Sequence, residues 1–234
     1  MDNTRSSIRA GFALVCMVGF IFLTATIPFQ DGSLYAENGP LENLQVLLLF
    51  LSAIAFLIPV SKAPISLKYV LLAGALLSCS FILRELDVEN LNVPKWVVSI
   101  GSGVGRNIVL GSGWIALGVL AIKSISAFKE NFRDILLSRT MLLLVIAGVI
   151  LLFGALFDHK DNKTSLDELA EEVIEVLGYA TFFLAALASR FTAHSLLAKE
   201  DEVQKRLERI DSSEQVRKDV AENQLDVPAA RPFL

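Results

Sequence analysis

Residues 141–157, MLLLVIAGVILLFGALF, carry no charged or polar side chain. An α-helix rises about 1.5 Å per residue, so a hydrocarbon core about 30 Å thick needs about 20 apolar residues, with a range of about 17–25. The segment therefore predicts a helix that crosses a membrane.

Similar apolar blocks recur along the chain, and 53% of all residues are hydrophobic. Soluble domains have about 45–50% apolar residues, distributed along amphipathic elements rather than gathered into long blocks. The blocks exclude a soluble globular enzyme and predict an all-α polytopic membrane helix bundle. The six predicted transmembrane spans are 10–29, 43–60, 67–84, 107–123, 139–157 and 168–190.

The first apolar block follows Arg5 and Arg9, as the apolar region of a signal peptide would. It is longer than the usual region of about 7–15 residues, and no A-x-A cleavage site follows it. We therefore interpret it as a retained transmembrane helix.

The connections between spans alternate in charge. The N-terminus and the second-to-third and fourth-to-fifth connections hold eight Lys/Arg against three acids, whereas the other connections hold five Lys/Arg against thirteen acids. Cytoplasmic connections are rich in Lys and Arg. The pattern predicts that both termini are cytoplasmic and that the protein lies in the plasma membrane, which in a bacterium is the inner membrane.

The composition changes after Arg190, which divides the chain into a transmembrane domain, residues 1–190, and a charged cytoplasmic tail, residues 191–234. Glu202 and Arg206 are four residues apart, as in a solvated helix. Pro228 and Pro232 predict a loosely ordered end. Two interpretations stay open: a solvated extension, or a helix that binds a cytoplasmic partner.

Charge and composition exclude several classes of function. The net charge is −4 and no basic patch is present, so nucleic-acid binding is not expected. The two cysteines both lie in apolar blocks, which does not support a disulfide framework. His159 and His194 are too few for a histidine-rich metal site.

The last span begins with an acidic stripe. Glu168, Glu171, Glu172 and Glu175 follow the spacing i, i+3, i+4, i+7, which places them on one face of a helix. Ser165 and Glu168 form a capping-box pattern that predicts the start of this helix at Ser165. The opposite face is predicted to be apolar, with Leu166, Ala170, Val173 and Leu177.

The depth of Glu175 makes it a candidate functional residue. From Glu175 to Arg190 a helix rises only about 22 Å, less than the hydrocarbon thickness of about 30 Å. If Arg190 marks the inner boundary, Glu175 lies within the membrane. A carboxylate there costs at least about 2.5–3.5 kcal/mol unless it is paired, protonated, metal-bound or hydrated.

Arg84 is predicted to be the partner of one of the deep glutamates. From Lys68 to Arg84 the third span rises about 24 Å, so Arg84 and Glu85 lie just inside the boundary on the acidic side. A guanidinium can bind a carboxylate through two parallel hydrogen bonds. The alternative is that Arg84 and Glu85 form an ion pair that only locks two helices together.

Two further groups are candidates on the same side. Asp158 and His159 end the fifth span, where they can act as ligand and base or simply as a polar cap.

The glycine-rich segment 101–107 contains Gly103, Arg106 and Asn107 and precedes a helix start. Free backbone N–H groups and a guanidinium there suit an anion such as a lipid phosphate. Glycine packing is the alternative.

Three functions fit these features. The first is an intramembrane hydrolase or transferase that acts on a lipid or lipid-linked substrate. The alternatives are a structural or accessory subunit, whose ion pairs only fix helix packing, and an ion-coupled transporter.

In the enzyme, carboxylates bind a divalent cation, since hard cations prefer oxygen ligands. The arginines bind the headgroup, and membrane lipids are the expected partners. The candidate catalytic residues are Glu175, Glu172, Asp158, His159 and Glu85. The candidate substrate-binding residues are Arg84, Arg106, Gly103 and Asn107, and the candidate metal ligands are Glu85, Asp87, Asp158 and Glu175.

Overall fold

The computed structural model describes residues 39–86, 88–90, 93–158 and 165–225, and this part of the chain contains helices and no strand. A single 3-10 turn, Val88–Asn90, lies between the second and third helices. The α-helices are α1 (Pro40–Leu57), α2 (Ile65–Glu85), α3 (Lys95–Gly101), α4 (Gly103–Lys123), α5 (Ile125–Leu136), α6 (Arg139–Asp158) and α7 (Ser165–Leu225).

Five segments of the described chain are long and apolar enough to cross a membrane. An all-helical fold with several candidate membrane spans is therefore confirmed. The predicted span 10–29 lies outside the described residues. The five segments are Pro40–Leu57, Ile65–Glu85, Gly103–Lys123, Arg139–Leu156 and Asp167–Glu214.

Prolines lie at both ends of the first described helix and at the start of the second. Pro40 occupies the first turn of α1, where its missing N–H is not needed, and α1 ends at Leu57, two residues before Pro59. Pro64 is the N-cap of α2. The predicted span 43–60 is therefore displaced by three residues from the observed helix, because apolarity alone placed its end beyond Pro59.

Helix α7 lies at the centre of the bundle. In its candidate membrane-spanning window 72% of the residues are buried, whereas no residue of the corresponding window of α4 is buried. The predicted apolar face is packed, since Val173 joins Leu41, Leu169 and Val176 in one buried cluster. The acidic face is packed too, because Glu175 is only 6% exposed. The sequence had indicated one apolar face, whereas α7 has neighbours on several sides.

Helices α6 and α7 approach each other closely at a glycine. A Cβ atom added to Gly178 of α7 would lie 2.5 Å from Leu151 Cδ2 of α6, which is closer than real Cβ atoms come to another heavy atom. Small residues let membrane helices pack at short distance. Further along the same pair of helices, the hydroxyl groups of Thr140 and Thr192 are 2.9 Å apart and buried.

The basic connection between α4 and α6 contains a further helix, α5. Its large apolar residues Ile125, Phe128, Phe132 and Ile135 recur at helical spacing, which gives this short helix one apolar face. A helix of this kind, with Lys and Arg beside an apolar face, is typical of the membrane–water interface. The charges of this segment predict only a connection and do not reveal the helix.

The described chain divides into two compact units with a boundary between His194 and Ser195. The second unit contains the charged end of α7. There the predicted pair is present, with a nitrogen of Arg206 2.6 Å from a carboxylate oxygen of Glu202. Both side chains are well exposed, so the pair contributes at most a few tenths of a kcal/mol.

The close approach of α6 and α7 predicts different effects for leucine at two glycines. We expect Gly178→Leu to lower the free energy of unfolding by about 1–3 kcal/mol, because the new side chain forces the helices apart. Gly148→Leu on α6 is the matched control, since within the described part of the chain no heavy atom lies within 4 Å of its added Cβ. The free energy of unfolding of each variant is measured in detergent micelles. Equal effects would contradict the packing described here.

Candidate functional site

The polar residues of the bundle meet where the start of α1, the end of α2 and the first turns of α7 come together. We call Arg84, Glu85, Glu175 and Tyr179 the arginine cluster. Arg84 and Glu85 are the last two residues of α2, and the other two come from α7, one helical turn apart. Each polar contact between these two helices therefore connects residues about ninety positions apart in the sequence.

Arg84 binds two carboxylates at once. Its Nη2 donates to Glu175 Oε1 at 2.7 Å, and its Nε lies 3.2 Å from Glu85 Oε1. The side chain of Glu175 is only 8% exposed and that of Glu85 10% exposed, so both are largely removed from solvent. The predicted pairing of Arg84 with a deep glutamate is confirmed, and the Arg84–Glu85 contact accompanies it.

Tyr179 completes the cluster and was not identified from the sequence. Its side chain is fully buried, and its hydroxyl donates to Glu85 Oε1 at 2.7 Å. The ring packs against Phe81 of α2 with a centroid distance of 5.6 Å. Tyr179 lies four residues after Glu175 and so continues the acidic stripe along the same face, a spacing from which the position could have been found.

A second polar pair joins α7 to α1. Gln45 is fully buried in α1, and its Nε2 donates to Glu172 Oε2 at 2.6 Å. Its Oε1 is buried, and the described part of the chain offers it no hydrogen-bond partner. Gln45 was also missed, although it is a lone amide within an apolar block, where a buried polar group needs a partner.

Negative charge predominates around the cluster. The guanidinium of Arg84 faces Glu85 and Glu175, and the charges of Glu42 and Glu171 add to the repulsion that Glu85 experiences. The contacts of Arg84 compensate part of this repulsion, since Coulomb energies between charges about 4 Å apart reach several kcal/mol away from bulk water. Arg84 is therefore the residue on which the proximity of the two carboxylates depends.

Helix α6 supports Glu175 from another side. A Cβ atom added to Gly154 would lie 3.3 Å from Glu175 Cγ, so glycine at this position leaves room for the glutamate stem. Glu175 is thus held between α2, which supplies its cation, and α6, which packs against its aliphatic part. A well-packed side chain of this kind is fixed in position rather than free to change rotamer.

The glycine-rich segment forms a tight turn between α3 and α4. Gly103 has a positive φ of 50°, and a Cβ on Gly105 would collide with the backbone oxygen of Ser99. Arg106 donates from Nη1 to the backbone oxygen of Leu83 at 2.9 Å, which satisfies a carbonyl in the last turn of α2. Asn107 is exposed beside it. This geometry supports the turn interpretation of the glycines.

Several candidate residues cannot be placed in the cluster. Asp87 and His159 lie outside the described residues, and so does the side chain of Asp158 at the end of α6. Among the described residues, no group of three or more His, Cys, Asp or Glu side chains could hold a metal ion. The divalent cation therefore stays a hypothesis that depends on Asp87 and Asp158 in addition to Glu85 and Glu175.

Comparison of the chain with protein-family models, with curated proteins and with solved structures found no match.

The arrangement is well suited to holding helices together. Two hydrogen bonds of the arginine cluster join α7 to α2, and the contact of Arg84 with Glu85 lies within α2. The pair of Gln45 and Glu172 joins α7 to α1. The guanidinium of Arg84 offsets carboxylate charge, and the neutral hydroxyl of Tyr179 adds a hydrogen bond to Glu85, both without a ligand.

Removing the tyrosine hydroxyl tests the geometry of the cluster. We expect Tyr179→Phe to lower the free energy of unfolding by about 1.5–3 kcal/mol, because the charged carboxylate of Glu85 loses the hydrogen bond that the tyrosine hydroxyl donates. Tyr69→Phe is the comparison, since its hydroxyl pairs with the neutral hydroxyl of Ser124 at 3.0 Å and should cost about 0.5–1.5 kcal/mol. A smaller loss for Tyr179→Phe than for Tyr69→Phe would show that Tyr179 does not hold Glu85.

Proposed function

We propose that this membrane protein is a structural or accessory subunit in which the arginine cluster fixes the packing of the transmembrane helices. The observation that carries this proposal is the double engagement of Arg84 with Glu85 and Glu175. A charged side chain inside a membrane protein is stable when it is paired within the bundle, and Arg84 pairs with both carboxylates.

The accessibility of the carboxylates supports the structural role. A general acid or base has to lie within hydrogen-bond reach of its substrate. Glu175 has little exposed surface, and its Oε1 already accepts a hydrogen bond from Arg84. The large cavity of the bundle is lined by residues of α2, α4, α5 and α6 and by no side chain of the cluster.

The charge distribution along the chain supports an orientation for this subunit. The Lys and Arg residues between α1 and α2 and around α5 favour a cytoplasmic position for that end of the bundle. In this orientation the arginine cluster lies on the extracytoplasmic side of the plasma membrane.

The second candidate is the hydrolase or transferase acting on a lipid or lipid-linked substrate. One observation favours it: the side chain of Arg84 is 57% exposed although it binds two carboxylates. An exposed guanidinium at membrane depth can bind an anionic headgroup. Glu172, Glu175 and Glu85 would then be the carboxylates nearest to the reacting group.

An apolar replacement of the whole cluster separates the two candidates. The variant Arg84→Met/Glu85→Leu/Glu175→Met/Tyr179→Phe removes every charge together with its partner, and such replacements are often neutral or stabilising. Arg84→Met alone leaves two buried carboxylates unpaired. We expect this single variant to lose about 1–3 kcal/mol of stability, a value reduced because Arg84 is more than half exposed.

The readout is complementation of a strain that lacks the gene, measured by growth, by protein level in the membrane and by lipid composition. A structural subunit predicts that the apolar variant accumulates and complements, while Arg84→Met accumulates poorly. The contradicting result is that the apolar variant accumulates normally while the cells that carry it have the lipid composition of the deletion strain. In that case the cluster takes part in a reaction and the structural proposal is wrong. Arg206→Met in the exposed tail pair is the control for loss of an arginine.

A further inference from the structure

An opening in the bundle lies towards the end opposite to the arginine cluster. It is a cavity of about 580 Å³ between α2, α4, α5 and α6. This volume falls within the range of about 300–1,000 Å³ that is typical of small-molecule sites. The cavity is lined by Tyr69, Val70, Ala73, Gly74, Leu77, Trp114, Leu117, Gly118, Ala121, Ile122, Ile125, Phe128, Phe132, Ile135, Leu136, Met141 and Leu144.

The lining is almost entirely apolar, so the cavity suits hydrocarbon rather than a polar metabolite. Its polar groups are few, and the hydroxyl of Tyr69 is already hydrogen-bonded to Ser124. Ile122 and Ile125 line the cavity yet are 69% and 50% exposed, so it opens to the outer surface of the bundle. In a membrane protein this surface faces lipid.

Basic side chains flank the apolar lining. Lys129 and Arg133 of α5 each follow a lining phenylalanine by one position and are exposed, while Lys123 ends α4 directly after Ile122. The helical spacing places Glu130 and Asp134 on the side of α5 turned away from the lining residues. An anion at the cavity mouth is therefore attracted by three cations.

We propose that this cavity binds an acyl chain of an anionic glycerophospholipid whose phosphate lies near Lys123, Lys129 and Arg133. Basic pockets between transmembrane helices on the cytoplasmic side bind anionic headgroups, with each Lys or Arg contributing to the attraction. The amphipathic helix α5 suits the same boundary, since its apolar face lies towards the chain and its basic flank towards the headgroup. The proposal does not depend on the role of the arginine cluster.

Gly118 offers a way to fill the cavity without disturbing its walls. It lines the cavity, and no heavy atom of the described residues lies within 4 Å of its added Cβ, so Gly118→Leu projects a side chain into this open space. Gly111 is the matched control, because it lies two helical turns earlier on α4, also has open space at its Cβ, and does not line the cavity.

The experiment uses the full-length protein in nanodiscs of phosphatidylcholine that contain phosphatidylglycerol with a photoactivatable diazirine in one acyl chain. After illumination, labelled peptides are identified by mass spectrometry. We expect labelling to concentrate on lining residues such as Leu117 and Phe128. Gly118→Leu should reduce it at least fivefold, whereas Gly111→Leu should label like the parent.

The headgroup is tested with a second variant and a second probe. Lys129→Gln/Arg133→Gln should lose about fivefold in labelling by phosphatidylglycerol for each charge removed. Phosphatidylcholine with the same diazirine chain should label the parent protein as weakly as phosphatidylglycerol labels this variant. If Gly118→Leu does not fold, these two results alone test the proposal.

Three outcomes would overturn the proposal. The first is equal labelling of the lining and of lipid-facing residues elsewhere on α4, such as Ile108 and Ile115. The second is equal labelling by the two headgroups. The third is a cross-link from cysteine introduced at Gly118 to Cys16, which would show that residues 10–29 of the same chain fill the cavity.

Discussion

A charge within a membrane is costly unless it is paired, protonated, metal-bound or hydrated, and Arg84 pairs with two carboxylates. Its contacts with Glu85 and Glu175 fix the end of α2 against the first turns of α7. Because Tyr179 and Gln45 also bind carboxylates of this region, α7 is held to α1 and α2 by directed hydrogen bonds. Apolar packing alone discriminates little between helix and lipid in a bilayer, so directed polar contacts of this kind favour one arrangement of helices over others.

The other end of the bundle is held by different polar contacts. There α6 and α7 meet through the buried pair of Thr140 and Thr192, and α5 lies beside α2 through the contact of Asn131 with Ser66. Neutral hydroxyl and amide contacts join the helices there, while Lys129 and Arg133 of α5 are exposed. The acidic end therefore has paired charges, whereas the basic end has open apolar volume.

Much of this organisation is encoded in simple patterns. Long apolar blocks predicted the described membrane helices, the capping-box pattern placed the start of α7 at Ser165, and the depth of Glu175 predicted its pairing with Arg84. The contacts of Gln45 and Tyr179 were not predicted, because periodicity gives the face of a helix but not which neighbour covers that face. The predicted ends of α1 differ from the observed ones because hydropathy does not detect Pro59, two residues after Leu57.

The account depends most directly on the coupling between Arg84 and Glu175, and a double-mutant cycle in lipid bilayers measures it. The cycle compares the free energy of unfolding of the parent with those of Arg84→Met, Glu175→Met and the double variant. The account predicts a coupling energy of about 1–3 kcal/mol, with the double variant more stable than the sum of the single losses implies. Losses that add to within about 0.3–0.5 kcal/mol would contradict it, because the two side chains would then act independently.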